Sequence, residues 1–558
     1  MRSWINCSLT FYCGAEYALT ALRENCRRYS TPYQQDNMLL THITEHCSPL
    51  TAFELVIVGL TAYLLYNKLC TGLNHIPGPF WAGFSDFYRL CIVWGRRPEQ
   101  WHIQLHKKHG EIVRIGPKTV ICSSNKAAKK IYALNAGFVK SEFYPVQRAL
   151  AKGIPLVTLF TSTDEAFHAK LRRSVNNAYA MSSLVQFEPL VDSTIKEFLR
   201  QLRIRNTSQS GVDTIFDFGE WLQYFAFDVI CELTFSKRMG FVDRGEDVEN
   251  IISNLQWILD YAAVIGQVPF LDRLLLKNPI RRAMSARGLI RGTPVAHFAL
   301  KRIEETKSGT SNFTNEASSL QDAKPRRDFL SRFQEANVKD PNFISNERVL
   351  ALTTANMIAG SDTTAISLRA IFYNLVCNPV RLAKLHAELD RVWAQRDSRT
   401  GLLTWDELRD LPYLSAVINE SLRTHPAAGL PLERIVPVNG VQIGDTAIPR
   451  GTNIGCNAWV LHLDDRVWGP QPEKWVPERW IDASDAQKSE MKNSLFTFGA
   501  GARTCIGKNV SYLEMYKLVP ALLNEFDIEL AYPDKEWKLH NAWFVKQSDF
   551  YVKLKSRR

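Results

Sequence analysis

The chain has 558 residues, of which 46% are hydrophobic and 22% are charged, and this composition excludes an intrinsically disordered protein. A formal net charge of +11 suits a nucleic acid, an anionic membrane surface or an acidic partner. The sequence has no long Lys/Arg block and no nucleic-acid-binding motif, so we expect no nucleic-acid partner. The 11 cysteines form no CxxC pair, which argues against a disulfide framework and against a zinc ribbon.

The first predicted element is an apolar run from Leu50 to Tyr66, which contains one acidic residue, Glu54. This length is at the short end for a membrane-spanning helix, and a buried core helix is the alternative interpretation. Pro77 and Pro79 stiffen the segment that follows, while Lys68 favours a cytosolic C-terminal side. We therefore divide the chain into four parts: a luminal extension (1–49), a transmembrane anchor (50–69), a proline-containing hinge and entry segment (70–97) and one large domain (98–558).

The large domain has the pattern of a mainly α fold with a smaller β part. Glu111–Ser124 alternates and is β-branched around Gly116 and Pro117, which predicts a hairpin. Helical periodicity dominates 164–300, and the polar stretch 307–328 is typical of a surface loop. Residues 344–378 are apolar on more than one face, which predicts a helix through the centre of the protein. Short strands are expected around 436–454, and a last helix over 506–526.

The stretch FTFGAGARTCIGKN, residues 496–509, has the residue types of a ligand site. Cys505 precedes the last predicted helix, whose N-terminal N–H groups stabilise a thiolate. Gly499, Gly501 and Gly507 permit sharp turns close to a bulky, flat group. Arg503 can pair with a carboxylate, and Phe498 supplies an apolar face. One thiolate with an arginine suits haem and its propionates, whereas zinc requires further ligands close in the sequence.

Five of these positions carry a family resemblance. Phe498, Gly501, Arg503, Cys505 and Gly507 match the pattern FxxGxRxCxG of the cytochrome P450 family, in which the cysteine is the axial ligand of the haem iron. The resemblance extends over 76–554. The phrases EIVRIGP, KSEFYPVQ and WFVK are similar to those of fungal secondary-metabolism members, in particular the pisatin-demethylase-like group.

A second motif, AGSDTT, lies within the predicted central helix. Asp362 and Thr363 are polar groups in an apolar helix, where they are costly unless they are used. Thr363 can bond back to the carbonyl four residues earlier and open the helix, and Gly360 removes a side chain where a ligand must approach. The resemblance implies that the acid and the hydroxyl deliver protons to bound dioxygen. A purely structural polar pair is the alternative.

A third motif, ESLR, places Glu420 and Arg423 one helical turn apart. By itself such a pair is common on exposed helices. The resemblance implies that these two residues form a buried ion network with Arg479 of the segment VPERW, and that this network holds the thiolate loop. The order of AGSDTT, ESLR, VPERW and the cysteine stretch matches the family without a gap.

Three further residues are candidates for binding the haem propionates. His168 and Arg172 have HxxxR spacing, which places both on one helical face, and Arg434 lies where the family has a propionate-binding arginine. The family more often has tryptophan at the position of His168. A solvated basic face is the alternative for all three. The apolar segments 140–160, 427–432 and 543–545 correspond to family segments that line the substrate pocket.

The resemblance implies a membrane-anchored haem-thiolate monooxygenase with haem b, acting on a lipophilic small molecule by hydroxylation or oxidative demethylation in fungal secondary metabolism or detoxification. Electrons would come from NADPH through a separate flavoprotein reductase, with cytochrome b5 as an additional donor. The expected location is the endoplasmic reticulum membrane, with the catalytic domain in the cytosol. Two alternatives stay open: a haem isomerase or dehydratase without a reductase, and a haem sensor or carrier without turnover. NADPH and oxygen consumption distinguishes the three.

Overall fold

Helices dominate the structure and short strands lie at its edges, which confirms the predicted mainly α fold with a smaller β part. The structure is a computed structural model that describes residues 49–151, 153–206, 214–290, 292–307, 328–396 and 401–557. The extension 1–49 and the polar loop 307–328 fall almost entirely outside the described residues.

The described helices in the first half of the chain are α1 Pro49–Leu69, α2 Phe87–Trp94, α3 Pro98–His109, α4 Asn125–Ile131, α5 Phe143–Val146, α6 Glu165–Val175, α7 Met181–Leu184, α8 Glu188–Asn206, α9 Phe218–Phe235, α10 Phe241–Arg244, α11 Ile251–Ile265, α12 Phe270–Leu274 and α13 Pro279–Ala286. Those in the second half are α14 Pro294–Lys307, α15 Phe329–Lys339, α16 Asn346–Val376, α17 Pro379–Ala394, α18 Trp405–Leu408, α19 Pro412–Thr424, α20 Ala458–Leu461, α21 Asp465–Trp468, α22 Arg479–Asp482, α23 Asp485–Ser494 and α24 Lys508–Glu525.

The strands of the described residues form five small sheets. Their bounds are β1 Ile112–Gly116, β2 Thr119–Cys122, β3 Val139–Lys140, β4 Leu150–Ala151, β5 Ile154–Pro155, β6 Ile215–Asp217, β7 Arg434–Ile435, β8 Val441–Ile443, β9 Thr446–Ile448, β10 Asn453–Cys456, β11 Phe526–Leu530, β12 Lys538–Ala542, β13 Phe544–Ser548 and β14 Tyr551–Ser556. The largest sheet has the order β1-β2-β10-β7-β3, and a second has the order β11-β14-β6. The predicted hairpin is β1–β2, and its antiparallel pairing confirms it.

The central helix is α16, which has 31 residues and confirms the apolar helix expected over 344–378. It begins where the Ser345 side chain accepts a hydrogen bond from the Arg348 N–H, as an N-cap does. Most of its side chains are buried, and it packs against α9 and α24 in the largest hydrophobic cluster. A helix apolar nearly all round has no solvent face, so α16 lies in the interior.

Helix α1 corresponds to the apolar run at the start of the chain. It belongs to one compact unit, which ends at Cys70, and the rest of the chain from Thr71 forms the other. Among the described residues, α1 is the one helix with the length and apolar composition needed to cross a membrane.

Candidate active site

The Cys505 loop joins a short 3-10 turn, Gly501–Arg503, to the start of α24. The Cys505 N–H donates to the Phe498 carbonyl over 2.9 Å, which closes the loop on itself. Cys505 is exposed, but desolvation by the surrounding protein raises the pKa of its thiol, while N–H groups of Gly507 and Lys508 and the charge of Arg172 act in the opposite direction. The N-terminus of α24 therefore gives the sulfur the support for a thiolate that the sequence indicates.

Two glycines give this loop its shape. Gly499 and Gly501 have φ of +68° and +66°, values that side chains rarely allow. A Cβ on Gly501 would overlap the Tyr132 carbonyl oxygen at the end of α4, so this glycine is needed for close contact between two backbones. Gly507 has an ordinary φ of −82°, and a Cβ there would lie 3.9 Å from the Cys505 Sγ. The room that Gly507 leaves is thus beside the sulfur itself.

The structure brings Glu420, Arg423 and Arg479 together in a buried ion network. The Glu420 carboxylate accepts two hydrogen bonds from Arg423, at 2.7 and 2.8 Å, and one from Arg479 at 2.9 Å. Burial acts to raise the pKa of Glu420, but the two arginines and the Val476 N–H outweigh it, and the pKa is lowered. The carboxylate also accepts from Trp480 Nε1, so all its lone pairs face donors.

His462 links this network to the cysteine loop, and the sequence analysis missed it. Its Nδ1 donates to the Arg423 carbonyl over 2.7 Å, and its Nε2 accepts from the Phe496 N–H over 2.9 Å. Burial lowers the pKa of His462 to about 3, so the ring is neutral and one tautomer satisfies both bonds. A second link runs from the Thr497 hydroxyl to the Leu422 carbonyl, 2.7 Å away. Helix α19 therefore fixes the start of the loop.

The acid–hydroxyl pair occupies the middle of α16. The Thr363 Oγ1 donates to the Ala359 carbonyl over 2.7 Å, the back-bond that the sequence predicts. Ala359 is exposed and Thr363 is half-exposed in the middle of a mostly buried helix, so protein side chains leave this face of α16 uncovered. Asp362 is buried and accepts a hydrogen bond from Gln223 of α9. Burial raises the pKa of Asp362, against the opposing effect of Lys546, Arg369 and Gln223.

The interpretation of Gly360 as a gap for a ligand is wrong. A Cβ at this position would lie 2.7 Å from the Ile230 side chain of α9. The glycine therefore allows α9 and α16 to pack closely, and the residues of this motif that are least covered are Ala359 and Thr363.

The predicted cations converge on α6 and its surroundings. Arg172 donates to the Thr504 carbonyl over 2.7 Å, which ties α6 to the cysteine loop. Arg434 is buried and donates to the Tyr144 hydroxyl over 3.2 Å. Burial, followed by the charges of Arg503, Lys140, Arg172 and Arg434, lowers the pKa of His168 to about 3. His168 is thus a neutral ring among four cations.

Arg503 has a partner that the sequence analysis did not anticipate. Its guanidinium faces the Glu165 carboxylate, with Nη2 2.7 Å from Oε1 and Nε 3.0 Å from Oε2, and its Nη1 donates to the Leu159 carbonyl. The Arg503 side chain is 5% exposed and that of Glu165 is 38% exposed. This bidentate ion pair between one arginine and one carboxylate has the geometry by which arginine commonly binds carboxylates.

A cavity of about 1020 Å³ lies beside α6 and the glycine-rich part of the loop. Its lining includes His168, Arg172, Arg434, Gly501 and Arg503. The site offers one thiol with N–H support, several cations, and a loop that its glycines bend sharply. These features fit haem, whose iron takes a single axial thiolate and whose propionates need cations. The donors present therefore fit haem, because the Cys505 thiol could serve as the iron ligand and the arginines could pair with the propionates.

The three apolar segments predicted to line a substrate pocket lie together in the structure. The Gly429 N–H donates to the Trp543 carbonyl, and the Val545 N–H to the Ala427 carbonyl, each over 2.8 Å. Trp543 forms the tip of the β12–β13 turn with φ of +75° and is 2% exposed. Its ring lies 5.0 Å from that of Phe143 and 5.7 Å from that of Phe160. We call Phe143, Tyr144, Phe160 and Trp543 the aromatic box.

Known proteins similar to this chain belong to one family. A family model described as Cytochrome P450 matches residues 87–554. The chain is 41% identical over 487 residues to "Cytochrome P450 monooxygenase cicH" of Emericella nidulans, which covers 87% of this chain and 94% of that protein. It is 41% identical over 481 residues to a "Cytochrome P450 monooxygenase" of Aspergillus terreus, covering 86% and 95% respectively. A third relative, from Aspergillus flavus, is 36% identical over 514 residues, covering 90% and 97%.

Proposed function

Because the chain belongs to the cytochrome P450 family of haem-thiolate monooxygenases, we propose that Cys505 ligates a haem b and that the opposite wall of the site is the Ala359–Thr363 face of α16. The observation that carries this proposal is that one chain holds both an N–H-supported thiol and an uncovered stretch with a hydroxyl, Ala359–Thr363, in the middle of a mostly buried central helix. When bound, thiolate-ligated haem supplies the activation of dioxygen and the insertion of one oxygen atom into the substrate.

The cations around α6 hold the cofactor by its carboxylates. Arg172, Arg434 and Arg503 supply positive charge, and the neutral His168 supplies a ring N–H donor. Phe498 and Gly499 shape the loop on the thiolate side. The Glu420–Arg423–Arg479 network fixes the start of the loop, at Phe496, through His462. These contacts fix the sulfur before turnover, so no reorganisation of the loop is needed during it.

Asp362 and Thr363 deliver the protons that oxygen reduction requires. The Thr363 hydroxyl lies on the half-exposed face of α16 and can hold a proton or a water molecule there. Asp362 lies on the α9 side, where burial favours its protonated form. The pair thus connects the interior of the protein with the oxygen-binding face. Monooxygenation consumes two electrons and two protons, with one oxygen atom entering the substrate and the other leaving as water.

The surroundings of the site support a proposal for the substrate class, and membership of the family supports one for the electron source. The aromatic box favours a lipophilic substrate, and the family relatives in fungi favour a role in secondary metabolism. Electrons come from NADPH through a separate flavoprotein reductase, with cytochrome b5 as an additional donor. The charge of +11 favours an acidic docking partner.

Helix α1 anchors the enzyme in the endoplasmic reticulum with the catalytic domain in the cytosol, since Lys68 follows the span.

Coupling of electron flow to product tests the roles of the α16 residues. Thr363→Ala should continue to oxidise NADPH in the presence of reductase and 7-ethoxycoumarin, but release hydrogen peroxide in place of dealkylated product. Thr353→Ala is the matched control, because Thr353 makes the same back-bond, to the Val349 carbonyl, on a fully buried face of the helix. Equal coupling in the two variants would contradict the role given to Thr363.

A further inference from the structure

Gln223 of α9 lies between a carboxyl group and a guanidinium group, both of which belong to α16. Its Nε2 donates to the Asp362 Oδ1, and its Oε1 accepts from the Arg369 Nη2 over 2.8 Å. The side chains of Gln223, Asp362 and Arg369 are all buried, so little water competes for these two hydrogen bonds. The proposed function uses Asp362 but gives no role to the other two residues.

The orientation of the Gln223 amide follows from the chemistry of Arg369. A guanidinium has donors and no acceptor, and burial lowers the pKa of Arg369 only to about 10, so this group is charged at neutral pH. The end of the amide that faces Arg369 must therefore be the carbonyl oxygen, and the NH2 group must face Asp362. Arg369 is itself held in place, because its Nε and Nη2 donate to the Gly219 carbonyl over 2.9 and 2.5 Å.

The two oxygens of Asp362 are therefore not equivalent. A neutral carboxyl group has one carbonyl oxygen, which accepts hydrogen bonds, and one hydroxyl, which donates. The NH2 group of Gln223 only donates, so it favours the carbonyl form of Oδ1 and leaves the proton to Oδ2. Among the described residues, Oδ1 is the one Asp362 oxygen that has a hydrogen-bond partner.

The charges around Asp362 allow it to lose and regain this proton. Burial raises the pKa of Asp362, whereas the charges of Lys546 on β13 and of Arg369, followed by the amide donor, act to lower it. Asp217 and Glu220, at the start of α9, act in turn on Arg369. When Oδ2 releases its proton, these cations and the amide stabilise the carboxylate until it takes up a proton from water.

Resting on the proposed role of Asp362 in proton delivery, we propose that Gln223, held by Arg369, is a positioning residue that keeps the proton of Asp362 on Oδ2. The proton then leaves from one defined oxygen, and the carboxylate that remains stays bonded to Gln223 through Oδ1. Without the amide, the proton would occupy either oxygen, so delivery would fail more often.

Two variants of the full-length holoenzyme separate this role from packing. Gln223→Met keeps the length of the side chain but removes both of its hydrogen bonds. Gln223→Glu keeps an acceptor for Arg369 but replaces the donor to Asp362 by an acceptor, which draws the proton to Oδ1. Gln547→Met is the matched control, because Gln547 is also buried and also donates to α16, at the Ile366 carbonyl 3.0 Å away.

Infrared spectra measure where the proton lies. The difference between each protein and the same protein with Asp362→Asn, recorded in H2O and in D2O as the pH is lowered, isolates the carbonyl stretch of protonated Asp362. A donor to the carbonyl oxygen lowers this frequency, so the band should lie at a higher wavenumber in Gln223→Met than in wild type and in Gln547→Met. The proposal is overturned if the band does not shift in Gln223→Met, or if folded wild-type protein never shows it.

The coupling of NADPH oxidation to dealkylation of 7-ethoxycoumarin measures the consequence for delivery. Both Gln223 variants should form several-fold less product and more hydrogen peroxide per NADPH at wild-type haem content, whereas Gln547→Met should match wild type. Wild-type coupling in Gln223→Glu would also overturn the proposal, since this variant preserves the contact with Arg369. The proposed function is judged separately, by the coupling of Thr363→Ala and Asp362→Asn, in which Gln223 is intact.

Discussion

Replacing His462 by phenylalanine should destabilise the protein strongly, because this ring serves two buried backbone groups. The Arg423 carbonyl would lose its donor and the Phe496 N–H its acceptor. Each buried group left unpaired costs about 1–3 kcal/mol, so the free energy of unfolding should fall by about 2–6 kcal/mol. The total stability of a domain is only about 5–15 kcal/mol, so a loss of this size is large.

Urea unfolding followed by circular dichroism measures this change, and haem loss to apomyoglobin measures its effect on the cysteine loop. His297→Phe is the matched control, because His297 is exposed on α14. His462→Gln keeps one donor and one acceptor and should recover about half of the loss. If the His462→Phe and His297→Phe proteins unfold within about 0.5 kcal/mol of each other, well below the cost of one unpaired group, the role given to His462 is wrong.

Three further predictions concern the loop, the ion network and pH. Gly501→Ala should bind several-fold less haem per protein than Gly401→Ala, since both glycines have positive φ but only the first would clash with a neighbouring backbone; similar haem contents would refute this. Glu420→Gln should lower the free energy of unfolding by about 3–5 kcal/mol because it breaks a buried pair, whereas Glu490→Gln, in an exposed pair, should cost under about 1 kcal/mol; urea titration decides. Besides His168 of the candidate site, three described histidines have a folded-state pKa that burial lowers to about 3–4: His102, His425 and His462. Their contribution to stability is therefore complete above the unfolded pKa of about 6.5 and falls by about 1.4 kcal/mol per histidine for each pH unit below it. Asp228, whose pKa burial raises to about 6, offsets part of this between pH 6 and about 4. Urea midpoints that stay constant from pH 7 to pH 5 would contradict this account.

The fold and the motif residues could be predicted because their signals are local in the sequence. The alternation in 111–124 and the apolar run in 344–378 each report one element, and the structure has both, as β1–β2 and α16. The spacing of Glu420 and Arg423 likewise implies that their side chains meet, and they do.

Partners that lie far apart in the sequence could not be predicted in this way. His462 is 34 residues from Phe496, and no pattern in its neighbourhood marks it as a link. The pairing of Arg503 with Glu165 spans 338 residues. The motif predicts that Gly360 makes room for a ligand, but in the structure a Cβ at this position would meet the Ile230 side chain on α9. Residue types thus indicate which chemical groups are present, whereas the packing of the fold decides which of these groups contact one another.

Absorption of the reduced enzyme with carbon monoxide tests the central claim, that Cys505 is a thiolate ligand of haem. The wild-type protein should show a Soret band far to the red of that given by a histidine-ligated haem, and Cys505→Ser should lose this band or the haem itself. Cys456→Ser, a buried cysteine of β10, is the control and should keep the band. A wild-type spectrum without the red-shifted band, or an unchanged band in Cys505→Ser, would contradict the assignment.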